Sequence, residues 1–343
     1  MTAPGALESA APVARESARH TSDLARIGRR DRSAARPGPG PIADGLVRQL
    51  ELSMDRRVGG QMSGDHRGLG RGTGMELDRI RPYEPGDDVR RIDWNATART
   101  QITHIREDVP ERQLTAWLLL DQSASMHFGT ADRRKADVAE GVALVVGRFA
   151  ARRGNRLGII TYGSGPNRVT PPAGGRRGML GLLHALETEP AEEGGGQTSP
   201  ARALALVGAT RTPPGVVVIA SDFRGPRDWL PALTNVAGRH AVIVLEITDP
   251  REDALPDVGE LTLVDPETGR TLRVDTGDRR LRSAFDDAAA AERASLATSL
   301  AGLGVRHLRL STEGPWLPAL AQGFARNAAR TQERTPEPTG RPT

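Results

Sequence analysis

From residue 114 onward, short apolar runs alternate with longer amphipathic stretches. Thr115–Leu120, Arg156–Tyr162, Val216–Ala220, Ala241–Ile247 and Val305–Leu310 have the length and apolar content of strands. Between and after them, Arg134–Arg152, Met179–Glu187, Pro200–Val207, Trp229–Arg239, Arg280–Leu303 and Trp316–Arg330 have the spacing of helices. The alternation predicts an α/β domain over 114–330, a doubly wound, mostly parallel sheet with helices on both faces. One excursion interrupts it. Leu261–Val264 and Thr271–Val274 flank Asp265-Pro266-Glu267-Thr268-Gly269, which has hairpin-turn chemistry, so a hairpin is expected at about 260–275.

Ahead of this domain the pattern is weaker. Over 41–113, apolar Leu46, Val47, Leu50 and Leu52 predict a short helix within Ile42–Met54, followed by the Gly-rich run Gly59–Gly74. Met75–Ile80 and Ile102–Glu107 alternate well enough to pair as strands, giving a small β-rich attachment before the main domain. Residues 1–40, ending in Arg36-Pro37-Gly38-Pro39-Gly40, and residues 331–343, with Pro336, Pro338 and Pro342, lack periodicity and are expected to be disordered tails.

Composition narrows the function classes. With 343 residues, 37% of them hydrophobic, the chain can bury a full core. It has no cysteine, which excludes disulfides, thiolate metal sites and cysteine nucleophiles. No apolar run is long enough to span a bilayer and the N-terminus has no secretion-signal pattern, so a cytoplasmic location is the expectation. The isoelectric point near 10.3 suggests nucleic acid. However, the net charge is only +4, and Lys135 is the one lysine among many arginines that acids nearly balance. Nucleic-acid binding is therefore not expected, and an Arg-mediated binder remains a subsidiary alternative.

The chemistry concentrates at strand ends. The first strand runs into Asp121-Gln122-Ser123-Ala124-Ser125, which presents one carboxylate and two hydroxyls, spaced two residues apart, as hard oxygen ligands. A divalent cation such as Mg²⁺, or Mn²⁺ or Ca²⁺, held by so few charges keeps open positions for another molecule's carboxylate. In an open parallel sheet the remaining ligands should come from loops after other strands. Thr198 qualifies, following Gly194-Gly195-Gly196-Gln197 and preceding Ser199 and Pro200, which can cap and start a helix. Asp222 qualifies too, at the end of Val216-Val217-Val218-Ile219-Ala220-Ser221. Thr198 could instead belong to the cap, and Asp222 could cap the helix near Trp229.

This set, in this chain order, resembles the metal ion-dependent adhesion site of von Willebrand factor A-like domains. Upstream, Arg81-Pro82-Tyr83-Glu84-Pro85-Gly86-Asp87-Asp88-Val89-Arg90-Arg91-Ile92-Asp93-Trp94 with Thr97-Ala98-Arg99 is similar to the signature of a bacterial family, domain of unknown function 58. The likeness extends from about Gly64 to at least Asp275, taking in His66-Arg67, Gly74-Met75-Glu76-Leu77, Ser221-Asp222-Phe223 and Asp249-Pro250-Arg251-Glu252. It implies a von Willebrand factor A-like fold and a MoxR-type AAA+ ATPase as partner, in protein assembly or maturation. It carries no biochemical activity with it.

Within the signature, Asp87 or Asp88 can cap a short helix containing Val89, Ile92 and Trp94, with Arg90, Arg91 and Arg99 outside. One reading makes Tyr83, Gly86, Asp87, Arg90, Asp93, Trp94 and Arg99 an interaction or regulatory surface. The other is a compact motif cross-tied by Asp–Arg pairs and anchored by Trp94.

The reading is a metal-dependent protein–protein interaction module, an adaptor whose partner or client supplies an Asp or Glu to the metal. No catalytic constellation is present. The enzymatic alternative, a metal-assisted hydrolase or phosphatase using Asp121, lacks the second carboxylate two residues on, where Ser123 stands. There is no P-loop motif, and His20, His66, His104, His127, His184, His240 and His307 show no metal-ligand spacing; His127, near the metal loop, is the one to watch.

Overall fold

The computed structural model describes residues 38–48, 50, 75–110, 113–151, 154–187 and 198–332. Nearly all of both expected tails, the run Gly59–Gly74 and Gly194–Gln197 lie outside the described residues. Ten strands are present among the described residues: β1 (Met75–Pro82), β2 (His104–Pro110), β3 (Thr115–Asp121), β4 (Arg156–Tyr162), β5 (Arg168–Gly174), β6 (Val216–Ser221), β7 (Ala241–Thr248), β8 (Glu260–Val264), β9 (Thr271–Asp275) and β10 (Arg306–Ser311). The helices are α1 (Trp94–Thr100), α2 (Lys135–Ala151), α3 (Gly175–Leu186), α4 (Ala201–Ala209), α5 (Leu230–Ala237), α6 (Arg279–Gly302) and α7 (Trp316–Gln332). A further helical segment lies within 44–50.

Six strands form the central sheet in the order β10-β7-β6-β3-β4-β5. All neighbours pair in parallel except β4 and β5. Numbered by their own succession, the strands stand 6-5-4-1-2-3, the order of a doubly wound sheet whose winding reverses between β3 and β6. The expected α/β architecture is therefore the observed one. β5 was not foreseen: Pro171 and Pro172 break any strand pattern, and the sheet edge is where a strand tolerates missing N–H donors.

Every residue of β3, β6 and β7 is buried, as a strand covered on both faces requires. Alternate β3 side chains serve opposite layers. Leu118 and Leu120 pack with Val138, Val142 and Phe149 of α2 and with Trp316 of α7. Trp117 and Leu119 pack with Leu204 of α4, Leu233 of α5 and Leu296 and Leu300 of α6. Residues near the start of the described chain join the first layer: the Pro39 carbonyl accepts from Trp316 Nε1 at 2.8 Å, and Val47 and Leu50 are buried there.

β1 and β2 pair antiparallel, giving the small β-rich attachment. Between them, the signature segment is cross-tied by Asp–Arg pairs. Arg81 grips Asp87 through both terminal guanidinium nitrogens at 2.7 and 2.8 Å, and Arg106 Nε bonds Asp93 at 2.8 Å. The single short helix expected here is two elements. Asp88 caps the 3-10 turn Val89–Arg91, and Asp93 caps α1 through the Ala96 N–H at 3.0 Å. Trp94 does not anchor the motif. It is 71% exposed at the first position of α1, and the buried residue of that helix is Ala96. Tyr83 is half-buried, whereas Gly86, Arg90 and Arg99 are exposed.

Candidate functional site

The winding reversal fixes where chemistry can gather. The loops leaving β3 and β6 turn to opposite faces and leave a crevice at the carboxyl ends of adjacent strands. Asp121 closes β3, and Ser221 closes β6 with Asp222 next in chain. The Ser221 hydroxyl donates to Asp121 Oδ2 at 2.6 Å, and the Ser123 N–H donates to Asp121 Oδ1 at 2.9 Å. The turn after β3 continues as the 3-10 segment Ala124–His127, which brings the Ser123 and Ser125 hydroxyls within 3.0 Å of each other. The Ser125 hydroxyl lies near the Asp222 carboxylate and helps hold it charged.

Thr198 arrives from the third loop. Its neighbour Ser199 accepts the Ala201 N–H at 3.1 Å, while Pro200 takes the N-cap position of α4, so the Thr198 hydroxyl is left outside the cap. Its close placement depends on Gly225, where a Cβ would stand 2.0 Å from the Thr198 carbonyl oxygen. Asp222 does not cap a helix: its Oδ1 accepts the Arg224 N–H at 3.1 Å and its Oδ2 faces Lys135. Asp121, Ser123, Ser125, Thr198 and Asp222 are all buried.

Four residues outside the expected set complete the arrangement. Lys135, at the start of α2 and 0% exposed, donates to Asp222 at 2.5 Å and to Glu252 at 2.6 Å. Glu252 is held by a capping box with Asp249, which in turn accepts from Thr130 and Thr312. Phe223 takes a left-handed backbone, φ 54°, held by the Ser221 hydroxyl accepting its N–H at 3.0 Å and by edge-on packing against Trp229. Glu267, in the β8–β9 turn, accepts the Ser125 N–H at 3.0 Å and the Thr198 hydroxyl at 3.0 Å, one on each carboxylate oxygen. Phe223 and Glu252 fall in runs that carry the family likeness without a role attached, and the signals for Lys135 and Glu267 were faint. A lone lysine after an Arg-rich turn and an acid at a hairpin tip become informative only when chain separations of 87 and 142 residues are closed.

The electrostatics are those of a strained acidic pair. Burial, and then the Asp222 charge, push the Asp121 carboxyl up to about 7. Burial also works against the Asp222 charge, but the Lys135 ammonium outweighs it and holds Asp222 below the usual range. For Lys135 itself, burial favours the neutral amine, and Asp222 and Glu252 overcome this and raise it. Burial and the Asp121 charge push the Tyr162 phenol, paired with Asp121 in the β3–β4 register, well above its ordinary value.

This donor set suits a hard divalent cation. Lys135 pairs with Asp222 and Glu252 and Arg224 approaches Glu252, while Asp121 and Glu267 are held by hydroxyl and N–H donors, so the acids at the site outnumber the cations that touch them. Among the described residues no group of three or more His, Asp or Glu forms a metal cluster by itself. An ion here must therefore use the hydroxyls of Ser123, Ser125 and Thr198 alongside the Asp121 and Asp222 carboxylates. Two of the histidines have other partners: His240 Nδ1 accepts the Gly215 N–H at 3.2 Å, and His307 bonds Glu246 at 2.8 Å.

Comparison with known proteins adds a family and its relatives. The family model described as "Protein of unknown function DUF58" matches residues 79–295. Uncharacterized protein Rv1480 of Mycobacterium tuberculosis is 40% identical over 286 residues, covering 83% of this chain and 90% of that protein. Among solved structures, an aerotolerance-related membrane protein from Bacteroides fragilis aligns with TM-score 0.41 and 15% identity, over 62% of this chain and 99% of that one. The SpRpn10 VWA domain aligns with TM-score 0.35 and 13% identity, over 61% and 94%.

Proposed function

The chain belongs to the DUF58 family of proteins of unknown function, and on that footing we propose that it is a divalent cation-dependent protein-interaction module. The observation that carries this is the gathering of Asp121, Ser123, Ser125 and Asp222 at the ends of β3 and β6, with Thr198 bridged to Ser125 through Glu267, so that acids and neutral hydroxyls share one buried site. A bound Mg²⁺ would supply a strongly electrophilic point able to accept a carboxylate oxygen from a partner. The chain's own residues do the rest. Ser221 and the Ser123 N–H orient Asp121, Lys135 fixes Asp222, and the Ser125 N–H and Thr198 hydroxyl present two donors side by side to an incoming carboxylate. The partner is a protein with an accessible Asp or Glu, and a MoxR-type AAA+ ATPase in an assembly or maturation system is the partner this reading names.

The test is equilibrium binding of Mn²⁺ followed by electron paramagnetic resonance, alongside capture of the ATPase by immobilised chain. Wild type should bind one ion and retain the ATPase in Mg²⁺. Asp121→Ala, with an unchanged circular dichroism spectrum, should do neither. Capture that persists in chelator overturns the proposal.

A further inference from the structure

The β8–β9 hairpin lies outside the doubly wound scheme and its arms are largely exposed, with Val264 at 58% and Leu272 at 61%. Its turn is self-supporting. The Asp265 N–H donates to the Arg270 carbonyl at 2.9 Å, and the Asp265 carboxylate accepts the Glu267 N–H at 3.0 Å and the Thr268 hydroxyl at 2.5 Å. With Asp265 occupied inside the turn, Glu267 is the acid presented outward. Glu267 is half-buried, as is Pro266, between exposed Asp265 and Thr268, and both its oxygens are engaged by a donor pair across the site, the Ser125 N–H from the turn after β3 and the Thr198 hydroxyl from the loop before α4. Among the described residues, the hydrogen bonds that tie this turn to the sheet domain are those two.

From this geometry we infer that Glu267 is a built-in occupant of the acid-accepting position, and that an external ligand enters by displacing the hairpin. The inference rests on the interaction-module reading for its biological sense, although the contacts themselves involve no cation. It names the ligand chemistry: a carboxylate carried on a tight, pre-folded turn, because that is how Glu267 itself reaches the two donors. It also sets a threshold for capture. A tethered acid faces the site at an effective concentration on the order of millimolar, so a free acidic segment must outcompete it. Release frees a hairpin whose exposed Val264 and Leu272 can then add contacts to whatever replaced its tip.

The probe is a cyclised peptide carrying residues 264–271, labelled with a fluorophore and titrated by anisotropy against the full chain in Mg²⁺ and in chelator. The peptide should bind the Glu267→Ala chain at least about tenfold more tightly than wild type. Glu267→Gln should fall between them, and a peptide with glutamine in place of its glutamate should bind none of the three. Because the chain has no cysteine, a nitroxide on Arg270→Cys reports the hairpin directly and should gain mobility in the Glu267→Ala background. Equal affinity for wild type and Glu267→Ala, or no binding to a folded Glu267→Ala chain, overturns the inference. Preferential binding to Glu267→Ala that survives chelation upholds it while removing the metal from the proposed function.

Discussion

At the scale of single residues, Lys135 governs the site. Its ammonium sits in a fully buried position between Asp222 and Glu252, so removing it strands two carboxylates in a desolvated setting. Lys135→Met should destabilise the chain by about 3–5 kcal/mol in urea unfolding, and adding Glu252→Gln should restore part of that loss. Gly225 acts by having no side chain. The Cβ of Gly225→Ala would meet the Thr198 carbonyl oxygen at 2.0 Å, forcing that loop away. The expected result is a Mn²⁺ affinity about tenfold weaker, with a stability cost of about 1–3 kcal/mol, measured on the same preparation.

At the scale of elements, the apolar runs that became β3, β6 and β7 were legible because a strand buried on both faces leaves an uninterrupted hydrophobic signature. Asp121 and Asp222 stood out for the same reason, as polar residues that end or follow such runs, whereas Thr198 stood out as a hydroxyl between a glycine run and a helix start. β5 was hidden by Pro171 and Pro172, whose presence only the sheet edge excuses. Aromatic size favoured the anchoring reading of Trp94, whereas the side chain is exposed at the first position of α1, which only the surface reading accommodates. Lys135 and Glu267 were illegible because their roles exist only across contacts distant in sequence. α1 ends at Gln101, a non-glycine residue in the left-handed region at φ 59°. Gln101→Gly should therefore stabilise this helix end by about 0.5–1 kcal/mol, visible as a raised denaturation midpoint.

At the scale of the whole molecule, a polar network runs behind the sheet's carboxyl edge from Asp249 through Glu252 and Lys135 to Asp222. Burial raises the Asp249 carboxyl, but hydrogen bonds from the Thr130 and Thr312 hydroxyls and from the Thr130 and Arg251 N–H groups outweigh it and hold it below 3.8. A group depressed in this way contributes stability that is complete above its ordinary pKa and is lost as pH falls through its folded value. Thermal unfolding should thus be nearly flat from neutral pH down to about 5 for this contribution and decline below about 4, and Asp249→Asn should blunt that acid-side decline.

The only side-chain amine in the whole sequence is the one sealed inside that network. The side-chain positive charge of the folded surface at neutral pH therefore rests mainly on guanidinium groups. Acylating reagents, amine cross-linkers and enzymes that tag lysines find no side-chain target until the core is breached. Modification at position 135 is consequently a clock for opening of the native state, readable by mass spectrometry without any engineered label.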